Sequence, residues 1–153
     1  MALCDVYRGM GEDSLGELLK SVSIGKLKTY QLYERLKLRF RLVKLNSESL
    51  RKARPQFWKR ISEGEEEFAS DLAQAVLVSH LDMIVAVLNE LGIPHNDGFF
   101  DKDLDAGRYL TDGWKERVFQ KLRGAYPDTV LLFYLNHLGW EVAKSSDVFA
   151  PAA

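Results

Sequence analysis

The chain has 153 residues, 46% of them hydrophobic and 28% charged, and a formal net charge of −1 at pH 7. That is enough chain for one domain with its own apolar core, and the composition excludes a disordered or fibrous protein. The single cysteine, Cys4, excludes an internal disulfide framework and fits a reducing compartment.

The opening stretch, "MALCDVYRGMGEDS", has neither a basic leader nor an apolar one, so no secretory signal is read and a cytoplasmic location is expected. Residues 1–12 are expected to be a flexible N-terminus. Asp13 or Ser14 can cap a short helix over residues 15–22 that ends near Gly25. Leu27, Tyr30, Tyr33 and Leu36, spaced by three, predict a helix over residues 26–38.

Residues 36–45, "LKLRFRLVKL", alternate apolar and basic side chains. As a strand, Leu36, Leu38, Phe40 and Leu42 would line one face, with Lys37, Arg39 and Arg41 on the other. No second segment alternates comparably, and an isolated strand is marginal in water. As a helix, the stretch would sit between two apolar layers with its cations emerging at the sides. The helical signals around it favour the helix, and a short edge strand around residues 36–42 stays open.

Pro55 marks the first turn of a further helix carrying Phe57, Trp58 and Ile61 and stopping at Gly64. Glu65, Glu66 and Glu67 suit the positive end of the next helix, predicted over residues 65–91 and stopped by Gly92. Its apolar side chains cover most of its circumference, which marks it as central. Ser79, His80 and Asp82 interrupt the longest apolar run, which is shorter than the roughly 20 residues of a membrane span. No membrane association is expected.

Residues 93–112 read as an acidic loop. Thr111 or Asp112 caps a helix with Trp114, Val118 and Leu122 on one stripe, ended by Gly124. Pro127 begins the last helix, stopped by Gly139, and residues 144–153 are left as a frayed tail. "VLNELGI" and "YLNHLGW" look alike, which capping explains: a left-handed glycine followed by an apolar residue packed back on the last turn. The expected fold is all-α, one domain over residues 1–153: a compact bundle or irregular array of five to seven helices.

Charge is segregated along the chain. Residues 26–60 carry 12 Lys or Arg against two carboxylates, and residues 61–105 carry 11 Asp or Glu against Lys102 alone. Such asymmetry marks a surface for an oppositely charged partner, or two regions that neutralise each other within the fold. Basic residues interleaved with Tyr30, Tyr33, Phe40, Phe57 and Trp58 also suit single-stranded nucleic acid, although the aromatics fall at core-like spacing.

The sequence announces no catalytic group, metal site or cofactor. His80, His95 and His137 show no HxxxH, ExxH or HExxH spacing, and His80 shares its helical sector with apolar residues. Asp101, Asp103, Asp105 and Asp112 follow EF-hand spacing, but Ala106 stands where the loop needs glycine. "GMGEDSLG" lacks the Lys-Ser/Thr of a phosphate-binding loop, and no serine sits in GxSxG. The leading expectation is a non-enzymatic interaction or regulatory module. Its basic face, with Lys37, Arg39, Arg41, Arg51, Lys52 and Arg54, would meet an acidic protein or a second copy of the chain. Nucleic-acid binding by that face is the first alternative. A small-molecule or metal-dependent activity near His80 or His137 is the second.

Overall fold

A computed structural model of the protein describes residues 2–34, 36, 45–145 and 147–151. The fold is all-α. Among the described residues there are nine α-helices, one short 3-10 helix and no strand. Leu36 is helical, while residues 37–44, including Lys37, Arg39 and Arg41 and most of the proposed edge strand, lie outside the described residues. Contacts gather into two compact units, residues 2–79 and residues 80–153.

The N-terminal unit begins with a helix where a flexible terminus is expected. Helix α1 (Leu3–Met10) buries Leu3, Cys4, Val6 and Tyr7 on one side, the i, i+3, i+4 pattern of an amphipathic helix. Its own N-cap, Ala2, offers no side-chain acceptor. The Glu66 carboxylate takes that role, accepting the N–H of Leu3 at 2.6 Å and of Cys4 at 3.0 Å. The Tyr7 hydroxyl donates to the Ala69 carbonyl at 3.1 Å. Arg8 donates to the carbonyls of Ile61 and Ser62, at 3.3 and 3.2 Å, and so satisfies the end of another helix.

Helix α2 (Glu12–Ser21) begins earlier than expected, after Gly11 at φ 94°; Ser14 bonds back to the Met10 carbonyl instead of capping. Helix α3 (Ile24–Thr29) is capped by Ser23 and closes at Gln31, whose φ of 61° interrupts the longer predicted helix. Helix α4 (Ser47–Lys52) has a capping box between Asn46 and Ser49. Helix α5 (Arg54–Ser62) has proline in its first turn, and Gly64 at φ 81° follows it, both as expected. Helix α6 (Glu66–Val78) packs on α1, α2, α3 and α5, with Phe57 edge-on to Phe68 at 5.2 Å.

The helix predicted over residues 65–91 is two helices. It stops at Val78 and restarts in the C-terminal unit as α7 (Leu81–Leu91). Ser79 Oγ donates back to the Ala75 carbonyl at 2.9 Å and accepts the Ser23 N–H at 2.8 Å. The hydroxyl thereby ties the end of α6 to the start of α3, and His80, at φ −134°, leaves the helical region.

In the C-terminal unit α7 ends at Gly92 in the left-handed conformation, with the Ile93 N–H on the Leu88 carbonyl at 3.0 Å. A 3-10 turn (Ala106–Tyr109) lies in the acidic loop. Helix α8 (Trp114–Leu122) follows Gly113, and α9 (Asp128–Ala143) runs through Gly139 instead of stopping there. The two look-alike sequences therefore differ in role: Gly92 caps, whereas Gly139 is a crossing point. A Cβ on Gly139 would lie 3.1 Å from Lys115 Cε and 3.5 Å from Trp114 on α8. Within the expected tail, Lys115 holds the Asp147 carbonyl and Asn136 holds the Phe149 backbone.

Candidate interaction surface

The expected basic face divides once its neighbours are in place. Arg51 and Lys52 are exposed at the end of α4, and Arg54 opens α5. Lys52 pairs with Glu48 one turn earlier at 2.9 Å and holds that carboxyl below the usual carboxylate range. Arg54 crosses to α2, where its Nε lies 3.5 Å from Glu12 and its Nη1 3.9 Å from Asp13. Arg51 is exposed and forms no ion pair or hydrogen bond among the described residues.

Gly16 explains how Arg54 reaches α2. A Cβ there would meet Arg54 Cδ at 3.1 Å and Nη1 at 3.2 Å. Glycine inside a helix costs about 0.5–1 kcal/mol relative to alanine. Here it lets a guanidinium lie against the helix backbone. Together Asp13, Gly16, Glu17, Lys20, Arg51, Lys52, Arg54 and Pro55 line an open cleft of about 670 Å³. Sequence reasoning missed its α2 wall; the only signal was a glycine in the first turn of a predicted helix.

The cleft is mixed in charge. Asp13 and Glu17 share the wall with the cations, and Glu17 pairs with Lys20 at 3.3 Å. Within the same unit Arg60 meets Glu65 through two 3.1 Å contacts. Part of the basic run is thus neutralised by the first of the three glutamates. Of the aromatics interleaved with it, Phe57 is buried, Trp58 is half-buried, Tyr33 lies under Lys28 Nζ at 5.0 Å, Tyr30 is exposed, and Phe40 lies outside the described residues.

The histidines have separate surroundings. His95 Nδ1 accepts the Gly98 N–H at 3.0 Å, so its Nε2 carries the proton donated to Asn89 Oδ1 at 2.7 Å. His137 is packed between Phe133 and Trp140, with ring centroids 5.9 and 5.5 Å away. Burial pushes its pKa down to about 4, and it raises that of Glu141, whose Oε2 is 3.7 Å from His137 Nδ1. His80 occupies the N-cap position of α7, with no hydrogen bond from its ring to the helix N-terminus. No group of three or more His, Cys, Asp or Glu suited to a metal ion occurs among the described residues. In the acidic loop, Asp101 Oδ1 accepts the Asp103 N–H at 2.9 Å, a local turn.

Burial raises the Cys4 thiol to about 12, with help from the adjacent Glu66 carboxylate, so Cys4 is a poor nucleophile as folded. No single helix among the described residues is long and apolar enough to cross a membrane. No protein-family profile, curated protein or solved structure matches the chain.

Proposed function

We propose that this protein is a non-enzymatic interaction module that docks an acidic segment of a protein partner on the cleft between α2, α4 and α5. The observation that carries the reading is the contrast between Arg54, fixed on α2 by Glu12 and Asp13, and the adjacent exposed Arg51, which has no ion-pair partner among the described residues. An exposed guanidinium with no ion pair, beside one already paired across to α2, offers an accessible cation for a partner carboxylate. Asp13 and Glu17 in the same wall repel any anion, so the partner's carboxylates should meet the side of the cleft lined by Arg51, Lys52 and Arg54. Lys37, Arg39 and Arg41 belong to the same basic run in sequence, and a second copy of the chain is one partner to include. The single buried cysteine fits a reducing, cytoplasmic setting.

Fluorescence anisotropy with a labelled glutamate-rich decapeptide and a labelled single-stranded 12-mer DNA tests the reading. The peptide should bind at low ionic strength and weaken as salt screens the cleft. The double variant Arg51→Gln/Lys52→Gln should lose about tenfold in affinity while keeping its helical signal. Equal peptide binding by variant and parent would remove the cleft from the account. DNA binding tighter than peptide binding, with a steep salt slope, would assign the surface to nucleic acid instead.

A further inference from the structure

The C-terminal unit presents a charged surface opposite in sign to the cleft. Asp97, Asp101, Asp103 and Asp105 are all exposed, and none forms an ion pair among the described residues. Carboxylates nearer the cleft in sequence are already engaged: Glu65 pairs with Arg60, Glu66 caps α1, and Asp71 is buried. The loop that carries the four aspartates is pinned at both ends. Asn96 and Phe99 exchange backbone hydrogen bonds at 2.7 and 3.0 Å, and Gly98 donates to His95 Nδ1 at 3.0 Å. At the other end Ala106 is buried.

Charge complementarity names an occupant for the cleft. Residues 26–60 hold twelve cations against two carboxylates, and residues 61–105 hold eleven carboxylates against one cation. The whole chain nevertheless carries a net charge of only −1. Opposite charges of similar size on one chain make it complementary to a copy of itself. A net charge near zero also leaves copies without the long-range repulsion that keeps strongly charged proteins apart.

We propose that the acidic segment received by the cleft is residues 97–105 of a second copy of this chain, so that the protein associates with itself head to tail. This rests on the docking role of the basic cleft and names its partner. Arg51 and Lys52 of one copy meet the loop aspartates of the other. The contact is heterologous, because two different surfaces of the chain come together. Its pairs are exposed ion pairs, individually weak and screened by salt, so the assembly forms at high protein concentration and low ionic strength.

Sedimentation equilibrium of the full chain, up to about 1 mM protein and at about 20 and about 300 mM salt, tests this. The unmodified chain should associate at the lower salt and dissociate at the higher. Asp101→Asn/Asp103→Asn/Asp105→Asn should weaken association about tenfold or more. Asparagine at position 101 still accepts the Asp103 N–H, so the loop keeps its turn. Asp82→Asn/Glu90→Gln/Glu116→Gln removes as many exposed carboxylates outside the loop and should stay within about twofold of the unmodified chain. A monomer at every concentration, or equal weakening by the two triple variants, would overturn the proposal. The labelled glutamate-rich peptide separates this outcome from failure of the cleft itself. The loop variant should bind that peptide at least as tightly as the unmodified chain does. Peptide binding by a chain that stays monomeric would remove the second copy and leave the cleft to a separate acidic protein. Absence of peptide binding would remove the cleft and the self-association together.

Discussion

Removing the Glu66 carboxylate should release the first helix without unfolding its unit. Glu66 accepts the N–H groups of Leu3 and Cys4, two of the four donors that the start of α1 leaves unmet. Losing a capping acceptor costs roughly 0.5–2 kcal/mol, and Glu66 is exposed enough to water that the lower half of the range applies to each bond. Glu66→Ala, which removes both acceptors, should then cost about 1.5 kcal/mol. Glu66→Gln retains one acceptor oxygen and should cost about half as much. At 1.4 kcal/mol per factor of ten, α1 should open about tenfold more often in the alanine variant and about threefold more often in the glutamine variant. Hydrogen exchange at the α1 amides reads this opening directly. Labelling of Cys4 should speed up too, but removal of the neighbouring charge also eases ionisation of the thiol, so exchange is the deciding measurement. Unchanged exchange in Glu66→Ala would show that burial of Leu3, Val6 and Tyr7 alone holds the helix, and the capping argument would fall.

Other perturbations have equally direct outcomes. His137 is buried with its pKa depressed to about 4, so below the unfolded value of 6.5 the unfolded chain binds the proton first. Its contribution should be intact above pH 6.5, fall by about 2–3 kcal/mol between pH 6.5 and 4, and level off below; in urea titrations His137→Phe should flatten that part of the slope relative to the parent. Gly92→Ala places a Cβ in open space but at φ 77°, and should lower stability by about 1 kcal/mol in the same assay. A neutral result would mean that the left-handed cap relaxes. Ser79→Ala removes both hydrogen bonds of the hydroxyl and leaves the Ser23 N–H without its acceptor. It should cost about 1–2 kcal/mol and speed exchange at Ser23.

Local signals were legible in the sequence, and long-range ones were not. Pro55 in a first turn, Gly92 in the left-handed conformation and the helical class follow from single residues or short spacings. The α1 helix was missed although Leu3, Val6 and Tyr7 carry helical spacing, because a helix of eight residues is marginal alone and its acceptor lies more than 60 positions away. Gly139 looked like a stop because Gly-plus-apolar is a capping pattern; its use as a crossing point depends on Lys115, on another helix. The break at Ser79 depends on Ser23 in the same way. For the candidate cleft, sequence supplied Arg51, Lys52 and Arg54 but not their division into fixed and uncommitted cations, since that division is made by Glu12, Asp13 and Gly16 on α2.

The bond between Glu66 and α1 also bears on the order of events during synthesis. Residues 3–10 leave the ribosome before the carboxylate that caps them and before the Ala69 carbonyl that receives Tyr7. At roughly 5–20 residues per second, some 3–12 seconds separate the two. Through that interval Leu3, Val6 and Tyr7 have no finished surface to lie against. A chaperone that samples nascent chains would meet this apolar stripe before its packing partners exist, and substitutions on it would register as lower yield in the cell before they registered as a lower melting temperature.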